Sequence, residues 1–452
     1  VETFDMNKPM RLSYLLGAAA LLFWSSGVYA QEVITIQQAI DKTLQNNLQI
    51  KQAQFSESLN DVNLMQSKAA LYPNVNANVN QNLGWGRNQV ASGLFQNTQN
   101  YNLNGGLSAG IDLFNGWSKL NQIKQNKALL EAGKTNTDKV KNDLTLSVIT
   151  SYMQILFNKD FLKAAKYQLE VAEQQFNQQD QLFKVGNKTL ADVSQSKSQV
   201  ATAELNVTDA ENALAISYLN LAQLMDIPSS SVFDVQAPLI DGVKANSDKR
   251  NAEEIYQVAL TKFPDIKLTN ANTKAAELGV AVAKGNLYPR LSFNASYGTS
   301  YFYSENPLIT NDTFEKQLKD NVSKGIGLSL SIPIFNGLQA RSSVTRAKIN
   351  LAQTQTQEQL AKNNLNKVVY QAVADVRAAE SKFQSATDAF EAQKDAFYAI
   401  DQRYGVGLAN SVEYSTALTN RNRAEIDMIQ AKYDLLFKSK VIDYYLGNQI
   451  VF

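Results

Sequence analysis

Acid–base, metal or nucleophilic chemistry in this chain can draw only on carboxylates, lysines, arginines, tyrosines and hydroxyls. Its 452 residues contain no His and no Cys. That removes thiolate nucleophiles, Ser-His-Asp triads, Cys or Cys/His zinc sites and disulfides. The carboxylates in the most specific setting are Asp192 and Glu413, in Thr189-Leu190-Ala191-Asp192 and Asn410-Ser411-Val412-Glu413. The first is a capping box and the second is nearly one. A carboxylate there satisfies N–H groups at a helix start and complements its dipole, for about 1 kcal/mol. No constellation of nucleophile, base and oxyanion donor stands out, so no enzyme, cofactor or metal is expected. With 43 Lys+Arg against 42 Asp+Glu the net charge is +1. This argues against nucleic acid as a partner, and no Gly-rich phosphate loop suggests a nucleotide.

Those carboxylates recur because the chain is duplicated. Leu71-Tyr72-Pro73 returns as Leu287-Tyr288-Pro289, Phe114-Asn115-Gly116 as Phe335-Asn336-Gly337, and Val185-Gly186 as Val406-Gly407. Such a repeat sets the architecture. The organisation expected is a signal peptide at 1–30, a first repeat at 31–226, an irregular connector at 227–252, a second repeat at 253–448 and a tail at 449–452. The signal peptide is read from Lys8 and Arg11, the apolar Leu12 to Trp24, and the small-x-small site Val28-Tyr29-Ala30. Each repeat should run helix, two strands, very long helix, turn, helix.

Four segments alternate with period two: about 73–85, 101–114, 290–301 and 325–335. Val75, Ala77 and Val79 alternate with Asn74, Asn76 and Asn78; Ile326, Leu328 and Leu330 alternate with Gly327 and Ser329. One apolar and one polar face over ten or more residues is the pattern of a tilted strand crossing a bilayer. Loops 86–100 and 302–323 should then be extracellular. Long stretches without Gly or Pro predict helices of 67 residues at 117–183 and 338–404, about 100 Å each. Shorter helices should follow at 190–225 and 411–446. Four strands cannot close a barrel, and open edges in lipid cost several kcal/mol per unpaired group. The chain must therefore assemble around a membrane-normal axis, giving eight strands from two copies or twelve from three.

At this point the residues resemble the TolC family of outer-membrane efflux proteins, over about 33–448. The marks are Leu-Tyr-Pro entering the first strand of each repeat and Phe-Asn-Gly leaving the second. The third is a Tyr/Phe-x-x-Gly turn, Phe183 to Gly186 and Tyr404 to Gly407, followed by an acidic residue. The resemblance implies a membrane α+β protein: a homotrimer with a twelve-stranded transmembrane β-barrel, set in outer-membrane lipid and continuous with a long periplasmic α-helical barrel. It also implies a periplasmic adaptor and an inner-membrane pump as partners. The function would be passive exit from a tripartite efflux pump or type I secretion system.

The resemblance also assigns residues. Val185, Gly186, Val406 and Gly407 would contact the adaptor at the tip turns. Asp192 and Glu413 match acidic positions six residues after the turn glycines, and Tyr404 matches a gate tyrosine. Thr416 departs from the family's second carboxylate, nine after Gly407, so one acidic ring is missing. Lys432 matches a basic position that helps latch the closed state. Capping stands beside the pore reading for both carboxylates. The alternative function is a trimeric surface coiled coil of adhesin type, which would carry sustained heptads and one C-terminal anchor.

Overall fold

A computed structural model describes residues 32–237, 251–306 and 308–446. The signal-peptide reading of 1–30, the connector residues 238–250 and the tail 449–452 lie outside the described residues. The elements are β1 (Glu32–Ile34), α1 (Ile36–Asn46), α2 (Leu48–Ala69), β2 (Asn74–Ala91), β3 (Leu94–Asn115), α3 (Ser118–Lys184), α4 (Leu190–Leu224) and β4 (Phe233–Val235). They continue with α5 (Ala252–Lys262), α6 (Pro264–Gly285), β5 (Arg290–Ser304), α7 (Phe314–Asp320), β6 (Ser323–Ser331), α8 (Gln339–Gly405) and α9 (Ser411–Leu446). No helix among the described residues is long and apolar enough to cross a membrane.

The described residues form two compact units that do not follow the sequence repeats. One holds the chain up to Gln45 with Val148–Asp241; the other holds Asn46–Ser147 with Gly242–Val451. The reason is strand pairing. β3 of the first repeat pairs with β5 of the second, giving one antiparallel sheet of order β2-β3-β5-β6. The strands of both repeats, with α2, α6, α8 and the part of α3 up to Ser147, thus belong to one body.

Several expected boundaries move. The leading helix of each repeat is two helices. Asn47 caps α2, its side-chain oxygen accepting from Gln49 N–H at 2.8 Å, and Pro264 opens α6 at a position needing no donor. Residues 86–100 are not a loop: β2 and β3 extend to Ala91 and Leu94 and turn at Ser92-Gly93. Their Asn, Gln and Thr content hid a polar hairpin. β6 ends at Ser331, before Pro333, which has no N–H for a ladder. The irregular connector contains β4, which pairs in parallel with β1; three residues are too few for a period to register.

Both long helices have 67 residues. They start one residue later than expected because the chain enters each through two successive left-handed residues, Gly116-Trp117 (φ 62° and 65°) and Gly337-Leu338 (φ 63° and 66°). The preceding asparagine serves each start: Asn115 accepts from Lys119 N–H at 3.4 Å and Asn336 from Ala340 N–H at 3.5 Å. Phe-Asn-Gly is thus a strand-to-helix turn with its own cap. Leu-Tyr-Pro is the reverse junction: Tyr72 N–H closes on Ala69 O and Tyr288 N–H on Gly285 O, and the proline then stops the helix.

In the sheet-bearing unit, Ile255, Ala259 and Ile266 of α5 and α6 bury against Leu365, Val369, Val373 and Val376 of α8 and Leu435 and Ile442 of α9. Each such aliphatic side chain contributes about 1.5–3 kcal/mol. In the other unit, β1 and β4 are fixed by polar groups. Tyr152 OH lies within hydrogen-bonding distance of Ile34 O (2.9 Å) and Gln236 O (2.8 Å). Burial, with Asp234 nearby, pushes that phenol up to about 12. Asp234 Oδ1 accepts from Lys159 Nζ (2.7 Å), Tyr218 OH (2.6 Å) and Val235 N–H (2.7 Å).

Burial alone would raise the Asp234 carboxyl, but those three donors together hold it below the usual carboxylate range. A carboxyl lowered by folding stabilises fully above its unfolded pKa and loses that stabilisation as pH falls through its folded value. We expect acid unfolding of this unit to begin below about pH 4. Asp234→Asn should flatten that limb and lower neutral-pH stability by about 1–3 kcal/mol. Melting curves from pH 7 to pH 3 would check both; an unchanged acid limb would remove Asp234 from the account.

Candidate functional site

The sheet's register sorts its residues into two faces. Val75, Ala109, Ala295 and Ile326 form one row across all four strands; Asn76, Ser108, Ser296 and Gly325 form the next; Ala77, Leu107, Tyr297 and Lys324 the third. Aligned residues share a face and successive rows alternate. The apolar face is exposed: Val79 is 74 % accessible, Ile326 82 % and Leu107 52 %. Lys324, a cation on this face, places its ammonium 5.9 Å from the Tyr297 ring centre. Its stem lies along the apolar surface and its head over a π face.

The opposite face is asparagine, serine and glycine, and it encloses a hollow of about 590 Å³. Its charges gather at the end where strands meet helices. Arg290 donates through Nε and Nη2 to the two oxygens of Asp112 at 2.8 and 3.0 Å. Lys119 Nζ reaches Asp112 at 2.9 Å and Ala70 O at 2.7 Å. The β3–β5 register shifts between Asp112 and Phe114, so the bidentate pair clamps the bulge. Sequence reasoning missed this cluster. The available signal was a single acid and a single base on an otherwise uncharged polar face.

At the other end β6 is too short. It pairs with β5 only as far as Gly298, and side-chain amides complete the β5 edge beyond it. Asn321 donates to Ser300 O (2.8 Å); Gln317 accepts from Phe302 N–H and donates to Phe302 O (both 2.9 Å). Asn311 accepts from Ser304 N–H (2.9 Å) and donates to Ser304 O (2.7 Å). A segment expected to be a plain loop, 302–323, therefore stands in for a missing length of strand and covers an edge that would otherwise pair with another chain.

Both hairpin turns carry one hydrogen-bond pattern. Gly186 N–H bonds Phe183 O (2.9 Å) and Asn187 N–H bonds Leu182 O (2.8 Å); Gly407 N–H bonds Tyr404 O (3.1 Å) and Leu408 N–H bonds Arg403 O (2.8 Å). These are Schellman closures, with the glycines left-handed at φ 82° and 79°. A Cβ at either glycine would meet nothing within 4 Å, so substitution costs only backbone conformation. Gly186→Ala and Gly407→Ala should each weaken its own hairpin end by about 1–2 kcal/mol. Faster amide exchange confined to the adjoining turn would show it, and unaltered exchange would contradict it. Val185 is 68 % exposed in one turn, and Val406 and Leu408 are about as exposed in the other.

The expected carboxylates behave differently. Asp192 completes its capping box: Oδ2 accepts from Thr189 N–H (3.1 Å) and Oγ1–H (2.8 Å), while Asp192 N–H bonds Thr189 Oγ1 (3.3 Å). Glu413 makes half a box. Its N–H bonds Asn410 Oδ1 at 2.8 Å, but its exposed carboxylate forms no hydrogen bond or ion pair among the described residues. Thr416 is exposed beside it.

Tyr404 is not presented to solvent. It is 7 % accessible, with its ring 4.8 Å from buried Tyr414, which in turn stands 5.4 Å from Phe397. It is packed between α8 and α9 at the hairpin end. Lys432 is half-buried, 5.2 Å over the Tyr433 ring. It lies 432 − 413 = 19 residues from Glu413 along α9, about 28 Å, so the two are not one site. Between them sits a pair that sequence reasoning missed. Arg421 Nη1 stands 3.1 Å from Glu425 Oε2, the side chains 13 % and 17 % exposed, with the guanidinium 5.7 Å from the Phe390 ring. An i,i+4 charge pair usually marks a wet face; this one is in the seam.

The geometry has counterparts. The model of the family "Outer membrane efflux protein" matches the chain twice, at residues 39–226 and 255–448, once on each repeat. The chain is 21 % identical to the outer membrane efflux protein BepC of Brucella suis over 94 % of this chain and 88 % of that protein. It is 23 % identical to the outer membrane protein TolC of Escherichia coli over 68 % of this chain and 61 % of that one. Among solved structures, the outer membrane protein VceC of Vibrio cholerae aligns with a TM-score of 0.77 at 15 % identity, covering 91 % and 96 % of the two chains. The CmeC outer membrane channel of Campylobacter jejuni aligns at 0.78 and 16 %, covering 91 % and 85 %. A duplicated sheet with an exposed apolar face, long helices entered by the same turn in each repeat, and a family match on both repeats lead to one conclusion: the chain belongs to the outer membrane efflux protein family and is an outer-membrane channel for efflux.

Proposed function

We propose that three copies close a twelve-stranded barrel, and that the long helices extend the passage into the periplasm. A periplasmic adaptor and an inner-membrane pump would deliver substrate, and this chain would provide passive exit without catalysing a reaction. One observation carries the reading. The sheet has an exposed apolar face, and its outer strands β2 and β6 each pair on one side only, an arrangement lipid does not tolerate unless other strands close it. The uncovered apolar side chains at the turns, Val185 on one hairpin and Val406 and Leu408 on the other, suit an adaptor. The internal position and duplication of the strands favour this over a surface coiled coil.

Within it, Glu413 is the residue whose free carboxylate can line a constriction. Three copies would form an acidic ring that attracts cations. Asp192 is held as a cap, Thr416 adds no charge, Tyr404 shapes the hairpin end, and Lys432 would act from within the α8–α9 seam. Single-channel recordings test this. Glu413→Gln should lower cation preference and change conductance, while Thr416→Ala should leave both near the parent values. Unaltered selectivity in Glu413→Gln would remove the acidic ring.

A further inference from the structure

The hollow on the polar face of the sheet carries more positive charge than the sheet needs. Its volume is about 590 Å³, within the range of small-molecule sites, about 300–1,000 Å³. Glycines leave the room. Gly110 and Gly327 stand in one row with Asn74 and Asn294, and Gly325 stands in the next with Asn76, Ser108 and Ser296. A Cβ at Gly327 would meet nothing within 4 Å. The charged side chains lining the hollow are Asp112, Lys119 and Arg290; the other lining residues are uncharged.

One base would neutralise Asp112 and clamp its bulge, yet two are present, and the acid lies beneath them. The Asp112 side chain is 11 % exposed, against 63 % for Arg290 and 27 % for Lys119. Arg290 uses Nε and Nη2 on Asp112, and its Nη1 donates to nothing among the described residues. The hollow therefore meets a guanidinium with a free donor edge, not the carboxylate. Around it stand the neutral side chains of Asn76, Ser292, Asn294 and Ser296, whose amides and hydroxyls can also donate.

We propose that this hollow is a transit site for small organic anions, in which Arg290 meets a carboxylate, sulfonate or phosphate oxygen and the Asn and Ser donors complete its shell. A planar guanidinium suits such oxyanions. The proposal rests on the duct reading above, and it adds a substrate class. A site in a passage must release what it binds, so one surplus charge per chain is enough. Three copies would carry 3 × (2 − 1) = +3 at the junction of sheet and helices, opposite in sign to a ring of Glu413. The two places are separate: α8 runs 405 − 339 = 66 residues from its sheet end to the turn before Glu413, about 100 Å.

Single-channel currents of the full chain in planar bilayers test this, with naphthalene disulfonate added to each chamber in turn. Raffinose, which is uncharged and bulkier, controls for size. We expect the disulfonate to interrupt the current at concentrations where raffinose does not, and less so in concentrated KCl, which screens exposed charge. Arg290→Gln should raise the half-blocking concentration about tenfold. That variant also loosens the clamp, so Asn294→Asp is the second one. It keeps the side chain's shape and the clamp, adds one negative charge inside the hollow, and should give a similar rise. Conducting channels in which disulfonate and raffinose act alike, or in which Asn294→Asp is blocked as readily as the parent, overturn the anion site and leave the duct standing. A parent protein that inserts and passes no current overturns the duct reading and the site with it.

Discussion

Leu107→Arg should abolish stable insertion into the outer membrane, while Ser108→Arg on the neighbouring residue should be tolerated. The two positions share strand β3 and differ only in face. Leu107 lies in the apolar row with Ala77 and Tyr297, and Ser108 in the polar row with Asn76 and Ser296. A guanidinium facing lipid near the bilayer centre costs about 2–4 kcal/mol per chain, and assembly would multiply that cost over the copies. The same group on the Asn/Ser face meets water and the charges already there, Asp112 and Arg290. Heat-modifiable mobility on gels and the yield in membrane fractions would read the difference. Equal yields would mean the apolar face does not contact lipid.

Tyr414→Ala should cost the second hairpin about 3–5 kcal/mol, whereas Gln179→Leu should strengthen the first. Tyr414 is 4 % exposed and joins Tyr404 and Phe397 in one aromatic packing unit. Its removal leaves a cavity between α8 and α9, close to the Schellman turn that presents Val406. The first hairpin is built on a different seam. Gln168, Gln175 and Gln179 are buried along α3, and Ser196, Ala203 and Ala210 along α4.

Neither amide atom of Gln179, which is 1 % exposed, has a hydrogen-bond partner among the described residues. A buried amide in that state costs about 1–3 kcal/mol, which leucine would recover at nearly the same volume. Amide exchange resolved to each hairpin should therefore show protection lost in α8–α9 for the first variant and gained in α3–α4 for the second. If Gln179→Leu loosened its hairpin, the amide would be shown to hold a bond that the seam depends on.

Much of this was legible in residue order, because each signal was long. Period two over ten residues gave four strands and their faces, and runs without Gly or Pro gave the two 67-residue helices to within a residue. What escaped was short or tertiary. The polar hairpin 86–100 lacked an apolar alternation to read, and β4 is three residues long. The amides that finish the β5 edge come from Asn311, Gln317 and Asn321, whose partners are set by β6 pairing with β5 only as far as Gly298 rather than by spacing. Among site residues, the capping of Asp192 was legible because it is local. The burial of Tyr404 was not, since it depends on which face of α8 meets α9.

One chain contributes four strands with two open edges, too few to close a barrel. Native mass spectrometry of the protein extracted in mild detergent tests it most directly. A single species of three chains, persisting on dilution, is expected. A stable monomer with the same secondary structure would contradict it, because the two open strand edges and the bare apolar face would then need no partner.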